Sequence, residues 1–121
     1  MKRTIKFRGR TGRLWRKGDL LHTDTGDLLI RSNYVSVSVE SETVGQFTGQ
    51  YDKNGSEIYE GDILRFYDED IPFNVVVLWK GTGLKVVYTR KQHVSCSWPV
   101  GEMNIIGNIH DNPELLKGGA E

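Results

Sequence analysis

The chain has 121 residues with fourteen glycines, three prolines and a single cysteine, Cys96. That length supports one domain, or two very small ones sharing a core, one cysteine excludes an intramolecular disulfide, and no apolar run approaches the roughly 18–20 residues of a membrane-spanning helix. The net charge is zero, yet eight of the sixteen Lys and Arg lie in residues 1–17, which hold no Asp or Glu, so the other eight stand against all sixteen acids. Either the basic segment contacts phosphate or an acidic partner, or it lies along the acidic remainder of its own chain or of a neighbouring subunit. The second reading is the self-consistent one, because the whole molecule gains no long-range positive field. The opening MKRTIKFRGR lacks the apolar stretch of a secretory signal, which points to a cytoplasmic protein.

In chain order the signals are those of strands. Ile5 and Phe7 alternate with Lys6 and Arg8 in TIKFR (Thr4–Arg8). DLLH (Asp19–His22), a TDTG turn and DLLIR (Asp27–Arg31) read as a hairpin. Val35, Val37 and Val39 alternate with Ser36, Ser38 and Glu40, the period of a strand with one wet face. So flat a strand is a pairing hazard at an edge, so it is expected to be covered or paired between subunits. Asn54-Gly55 connects QFTGQY to EIY and predicts a type I′ hairpin turn. Glu60-Gly61-Asp62 breaks the ladder before ILRFY (Ile63–Tyr67), and DEDIP (Asp68–Pro72) reads as a loop. NVVVLW (Asn74–Trp79) is a continuous apolar run suited to a strand buried on both faces, and KGTG turns it into LKVVYTR (Leu84–Arg90). Val94–Trp98 is a candidate fifth strand of this group, and MNIIGNI (Met103–Ile109) is the last, with Gly107 marking a bulge or a close backbone approach. Asn112 as N-cap with Pro113 after it predicts one short helical turn. The expected core is Val75, Val77, Trp79, Val87, Ile105 and Ile109.

Residues with chemical potential do not fall into a catalytic pattern. His93 and Cys96 are three apart, which on a strand puts them on opposite faces. The serines lack a nucleophile-elbow context, and Gly81-Thr82-Gly83 is too short to cradle a nucleotide. Asp52, Glu57, Glu60 and Asp62 sit where turns between short strands place acids. Asp68, Glu69 and Asp70 read as a solvated loop. No catalytic residue, metal site or cofactor is expected. The softer signal is Arg8, Arg10, Arg13, Trp15, Arg16 and Lys17, where cations flank an aromatic ring as on single-strand-binding surfaces. These are the candidate contact residues for nucleic acid or a partner.

VGQFTGQYDKNGSEIYEGDIL (Val44–Leu64) and MNIIGNIHDNPELL (Met103–Leu116), in that order and with IKFR (Ile5–Arg8) ahead of them, resemble the YopX family of phage and prophage proteins. The blocks cover about a third of the chain. The resemblance implies an all-β fold of several coiled β-sheets including a small SH3-like barrel, with a short C-terminal helical turn. Residues 1–121 would be a single domain, with N-terminal strands in 1–45 and the hairpin and barrel core in 46–116. It implies a mobile-element origin and brings no catalytic motif. After IKFR the stretch GRTGRLWRK (Gly9–Lys17) is more basic than the family's usual opening. The expected protein is a non-catalytic binding or assembly module in the cytoplasm of a bacterial host. It would form a homo-oligomer or bind a host or phage protein, without a membrane role. The alternative is a nucleic-acid-binding accessory protein using the basic N-terminal segment.

Overall fold

The structure, a computed structural model, describes residues 5–68, 70–80, 83–88, 94–95 and 103–116. Among them the chain is almost wholly strand. The elements are β1 (Phe7–Thr11), β2 (Leu14–His22), β3 (Leu28–Ser32), β4 (Val35–Tyr51), β5 (Glu57–Tyr59), β6 (Asp62–Asp68), β7 (Ile71–Lys80), β8 (Gly83–Tyr88), β9 (Val94–Ser95) and β10 (Asn104–Asn108). A 3-10 turn follows at Pro113–Leu116. The all-β class and the terminal helical turn are as expected. Two antiparallel sheets form, ordered β1-β2-β3-β4-β5 and β10-β6-β7-β8-β9. The chain divides into two compact units, Met1–Gly49 and Gln50–Glu121, with the boundary inside β4.

In the first unit three tight turns join four strands. Gly12 and Arg13 link β1 to β2 across the Thr11–Leu14 pair. Asp19 to His22 pair with Arg31 to Leu28, the register that the DLLH and DLLIR repeats suggest. Asn33 and Tyr34 link β3 to β4 across the Ser32–Val35 pair, and Asn33 takes φ +58°, which Asn tolerates better than most side chains. β4 then does two jobs. Val35 to Val39 pair with β3, and Glu40 to Gln46 pair with β1, so the four strands close into a ring. Closure needs a sharp bend. Arg8 faces Gly45 and Arg10 faces Glu40, so two steps along β1 match five along β4, a bulge that turns the long strand. The Val/Ser strand is thus paired within the chain, with Ile30 and Val39 buried and Val37 half-buried. The first strand starts later than TIKFR suggests, at Phe7, and Ile5 ahead of it is exposed.

The second unit is built on β7. Val75, Val76 and Val77 are all buried, as expected of a strand covered on both faces. Val75 and Val77 join Ile58, Leu64 and Met103 in one apolar cluster, against which Ile105 packs. Each such side chain contributes about 1.5–3 kcal/mol by leaving water. Ile109 is half-buried beyond it, and the side chains of Trp79 and Val87 lie outside the described residues. DEDIP is mostly strand and not a loop. Asp68 pairs with Ile71, Asp70 takes φ +72°, and residue 69 lies outside the described residues. Pro72 lies opposite Tyr67, at the end of β7 before its pairing with β8 begins at Val75, so its missing N–H breaks no β7–β8 ladder. β8 pairs back along β7 from Lys80–Gly83, and Val94 and Ser95 pair with β8. Residues 96–98 of the candidate fifth strand lie outside the described residues. β10 returns to pair with β6, with a register shift between Ile105 and Gly107.

Candidate contact surface

The six basic and aromatic candidates fall on the β1–β2 hairpin, where the antiparallel register sorts them. Arg8 is opposite Lys17 and Arg10 is opposite Trp15, so these four share one face, while Arg16, opposite Gly9, points to the other. Trp15 is half-buried and lies under two guanidiniums, with Arg8 Cζ 4.7 Å and Arg10 Cζ 5.9 Å from its ring centroid. Arg8 is only 8% exposed. Arg10 Nη2 also bonds Glu40 Oε1 at 3.3 Å, and its backbone N–H donates to Thr43 Oγ1 at 2.8 Å. Thr43, buried in the β4 bulge, donates in turn to the Glu40 carbonyl. Lys6 lies over the Phe47 ring at 5.6 Å. Cations over rings are worth about 0.5–1 kcal/mol when exposed and ~2 kcal/mol when desolvated. The hairpin therefore divides. Arg8, Arg10 and Trp15 interlock with the bulge of β4, whereas Arg13, Arg16 and Lys17 are exposed. Glu40, Thr43 and Phe47 are partners that strand periodicity does not reveal. The only signal for them is the short polar insert Ser41-Glu42-Thr43 in an otherwise regular strand.

The same end of the ring carries apolar side chains that face water. Leu14 and Val35 are exposed, and Tyr34 at the β3–β4 turn is fully so. The Asp19–Arg31 pairing carries that turn towards the Arg16–Lys17 part of β2. At the opposite end of β2 and β3, the turn holding Asp24 and Asp27 is exposed and tightly bonded. Thr23 N–H donates to the Asp27 carbonyl at 2.9 Å, Asp27 N–H donates to Thr23 Oγ1, and Thr25 Oγ1 donates to Asp27 Oδ2.

The acidic residues of Gln50–Asp70 are occupied by the backbone. Asp52 Oδ1 accepts from the Asn54 and Ser56 N–H groups, both at 2.9 Å, and Oδ2 accepts from Ile105 N–H at 3.0 Å. Burial pushes the Asp52 pKa up, but the N–H groups of Ile105, Ser56, Asn54 and Gly55 outweigh it and hold the carboxyl below its ordinary value. This clasp also sets the turn. Gly55 N–H donates to the Asp52 carbonyl, and Gly55 takes φ +86° while Asn54 does not take a positive φ. The type I′ expectation is corrected here to a turn with only its glycine left-handed, because Asp52 ties the Asn54 N–H to its own side chain. Asp62, 2% exposed, accepts the Tyr59 N–H at 2.8 Å and closes the Tyr59–Asp62 corner. Glu57 accepts the Tyr59 hydroxyl at 2.9 Å.

The second motif block makes a similar corner. Asn108 Oδ1 accepts from the His110 and Asp111 N–H groups at 2.9 Å. Asn112 does not cap the 3-10 turn with its side chain. Its Oδ1 instead accepts from Asn108 N–H at 3.2 Å, and its carbonyl takes the Leu115 N–H. That side chain lies directly over Gly107, where a Cβ would sit 2.5 Å from Asn112 Oδ1. The bulge expected at Gly107 is present as the register shift after Ile105, and the group that approaches it closely is the Asn112 side chain. Among the described residues no three His, Cys, Asp or Glu side chains are grouped as metal ligands, and His93 and Cys96 lie outside them.

Compared with known proteins, the chain matches the family model described as YopX protein over residues 13–117. No curated protein matches it. The match spans the exposed basic end of the hairpin, the Asp52 clasp and the Asn108–Asn112 corner.

Proposed function

The chain belongs to the YopX family, and from that premise we propose that it is a phage- or prophage-derived, non-catalytic module. It acts by binding and assembly through its surfaces, forms a homo-oligomer, and works in the cytoplasm of a bacterial host. The five strands of the second sheet follow the order in which the last returns beside the first, and we read this as the small SH3-like barrel of the family. That barrel hosts many unrelated activities, so function is argued from side chains and not from the fold. The observation that carries the reading is the fate of Asp52 and Asp62. The most reactive-looking stretch of the sequence spends both buried carboxylates on backbone N–H groups. What faces water is a basic and apolar hairpin end. No helix among the described residues is long and apolar enough to cross a membrane.

Nucleic-acid binding is the alternative, supported by the exposed Arg13, Arg16 and Lys17. It is weakened by Trp15, which is half-buried and whose ring already carries Arg8 and Arg10, cations that a stacking base would have to displace or share. Two measurements decide. Tagged and untagged copies co-expressed in the host are expected to co-purify, alone or with a phage or host protein. A labelled single-stranded oligonucleotide is expected to show only weak binding that vanishes at physiological salt. Tight oligonucleotide binding abolished by Arg13→Glu with Arg16→Glu would replace the first reading with the second.

A further inference from the structure

The first unit is polar along its own length. One end carries Arg13, Arg16 and Lys17 together with the exposed Leu14, Tyr34 and Val35. The other carries the Asp24 and Asp27 turn, held rigid by Thr23 and Thr25. β2 joins the two turns in nine residues and changes partner from β1 to β3 between Gly18 and Asp19. Among the described residues neither Arg13 nor Arg16 forms an ion pair with Asp24 or Asp27. Such pairs can form between copies.

We infer that the basic, Tyr34-bearing end of one copy docks on the Asp24/Asp27 turn of a second copy, a head-to-tail contact between first units. The inference rests on the assembly reading above and specifies its partner and surface. Charge complementarity selects the occupant. Neither Arg13 nor Arg16 makes an ion pair among the described residues, and the matching carboxylates lie on a turn whose shape is already fixed. Tyr34 supplies the apolar anchor. A fully exposed aromatic at the tip of a two-residue turn gains area on docking with little rotamer freedom to lose. Because the two surfaces differ, the contact is heterologous. It does not saturate in a two-fold dimer but continues to a ring or an open chain.

Sedimentation velocity on complementary variants tests this. Arg13→Glu with Arg16→Glu makes both ends acidic, and Asp24→Lys with Asp27→Lys makes both ends basic. Each alone is expected to sediment as a monomer at concentrations where the native chain assembles, and an equimolar mixture is expected to recover assembly. That recovery would also show that both variants fold. Tyr34→Ser, at a site that packs against nothing, is expected to weaken association by about tenfold without changing the melting temperature. The inference fails if either charge variant alone assembles like the native chain. It also fails if the mixture stays monomeric while both variants keep native circular dichroism, or if Tyr34→Ser assembles unchanged. A native chain that stays monomeric at every concentration yet co-purifies with a host or phage protein overturns this contact and leaves the broader reading standing. A monomer that captures nothing removes both.

Discussion

Asp52 illustrates how a residue that looks catalytic becomes structural. A carboxylate this buried is costly unless donors surround it, and three backbone N–H groups do so within 3.0 Å. Two come from its own turn and one from the start of β10, so a single side chain closes a hairpin and ties it to a strand far along the sequence. Asp52→Ala leaves these donors without their acceptor and is expected to cost about 3 kcal/mol in urea unfolding. Asp52→Asn, which keeps one acceptor oxygen, should cost less. The pH dependence has a definite sign. The folded pKa lies below the unfolded value of about 3.9, so the stabilisation is complete above that value and disappears as pH falls through the folded one. The native urea midpoint is therefore expected to hold down to about pH 5 and then fall with Asp52 as a contributor, and Asp52→Asn should flatten part of that fall. A midpoint that responds identically to acid in both proteins would remove Asp52 from the account. At Gly107, a methyl group would strike the Asn112 side chain. Gly107→Ala is expected to lower stability by roughly 1–3 kcal/mol and to free the Asn108 amide to faster hydrogen exchange.

Strands, hairpins and the buried centre were readable because each leaves a periodic trace. The alternation of Val35, Val37 and Val39, the DLLH–DLLIR pair and the unbroken Val75-Val76-Val77 run correspond to β4, β2–β3 and β7. The bend of β4 left no such trace. Ser41, Glu42 and Thr43 interrupt the alternation with three polar residues, but their role as the bulge that lets β4 reach β1 emerges only when the ring closes. The turn type at Asn54-Gly55 was misread for a related reason. The dipeptide permits type I′, but the neighbouring Asp52 carboxylate captures an N–H and selects another geometry. Two substitutions act at this scale. Trp15→Leu removes the ring beneath Arg8 and Arg10 and is expected to destabilise the β1–β2 hairpin by about 1–2 kcal/mol, seen as faster amide exchange at Gly9 and Arg16. Val77→Ala opens a void beside Ile58 and Met103 and should cost roughly 2 kcal/mol by thermal melting.

At the scale of the molecule, charge segregation was visible in the sequence but its meaning was not. Eight bases without an acid in residues 1–17 suggest an arm for some acidic surface. Which cations remain for a partner depends on where β4 returns, because that return engages Arg10 with Glu40 and buries Arg8 while leaving Arg13 and Arg16 exposed. Tyr34 reads in sequence as the start of a strand, whereas the two-residue turn across the Ser32–Val35 pair projects it into water. The family match, residues 13–117, covers these features together with the clasp and corner. The most direct measurement of the assembly claim is the weight-average mass of the native protein by sedimentation equilibrium, from micromolar to several hundred micromolar and at low and high salt. The account predicts a mass that climbs with concentration beyond two chains at low salt and drops back when ions screen the basic and acidic ends. A mass fixed at one chain across the whole range would contradict it.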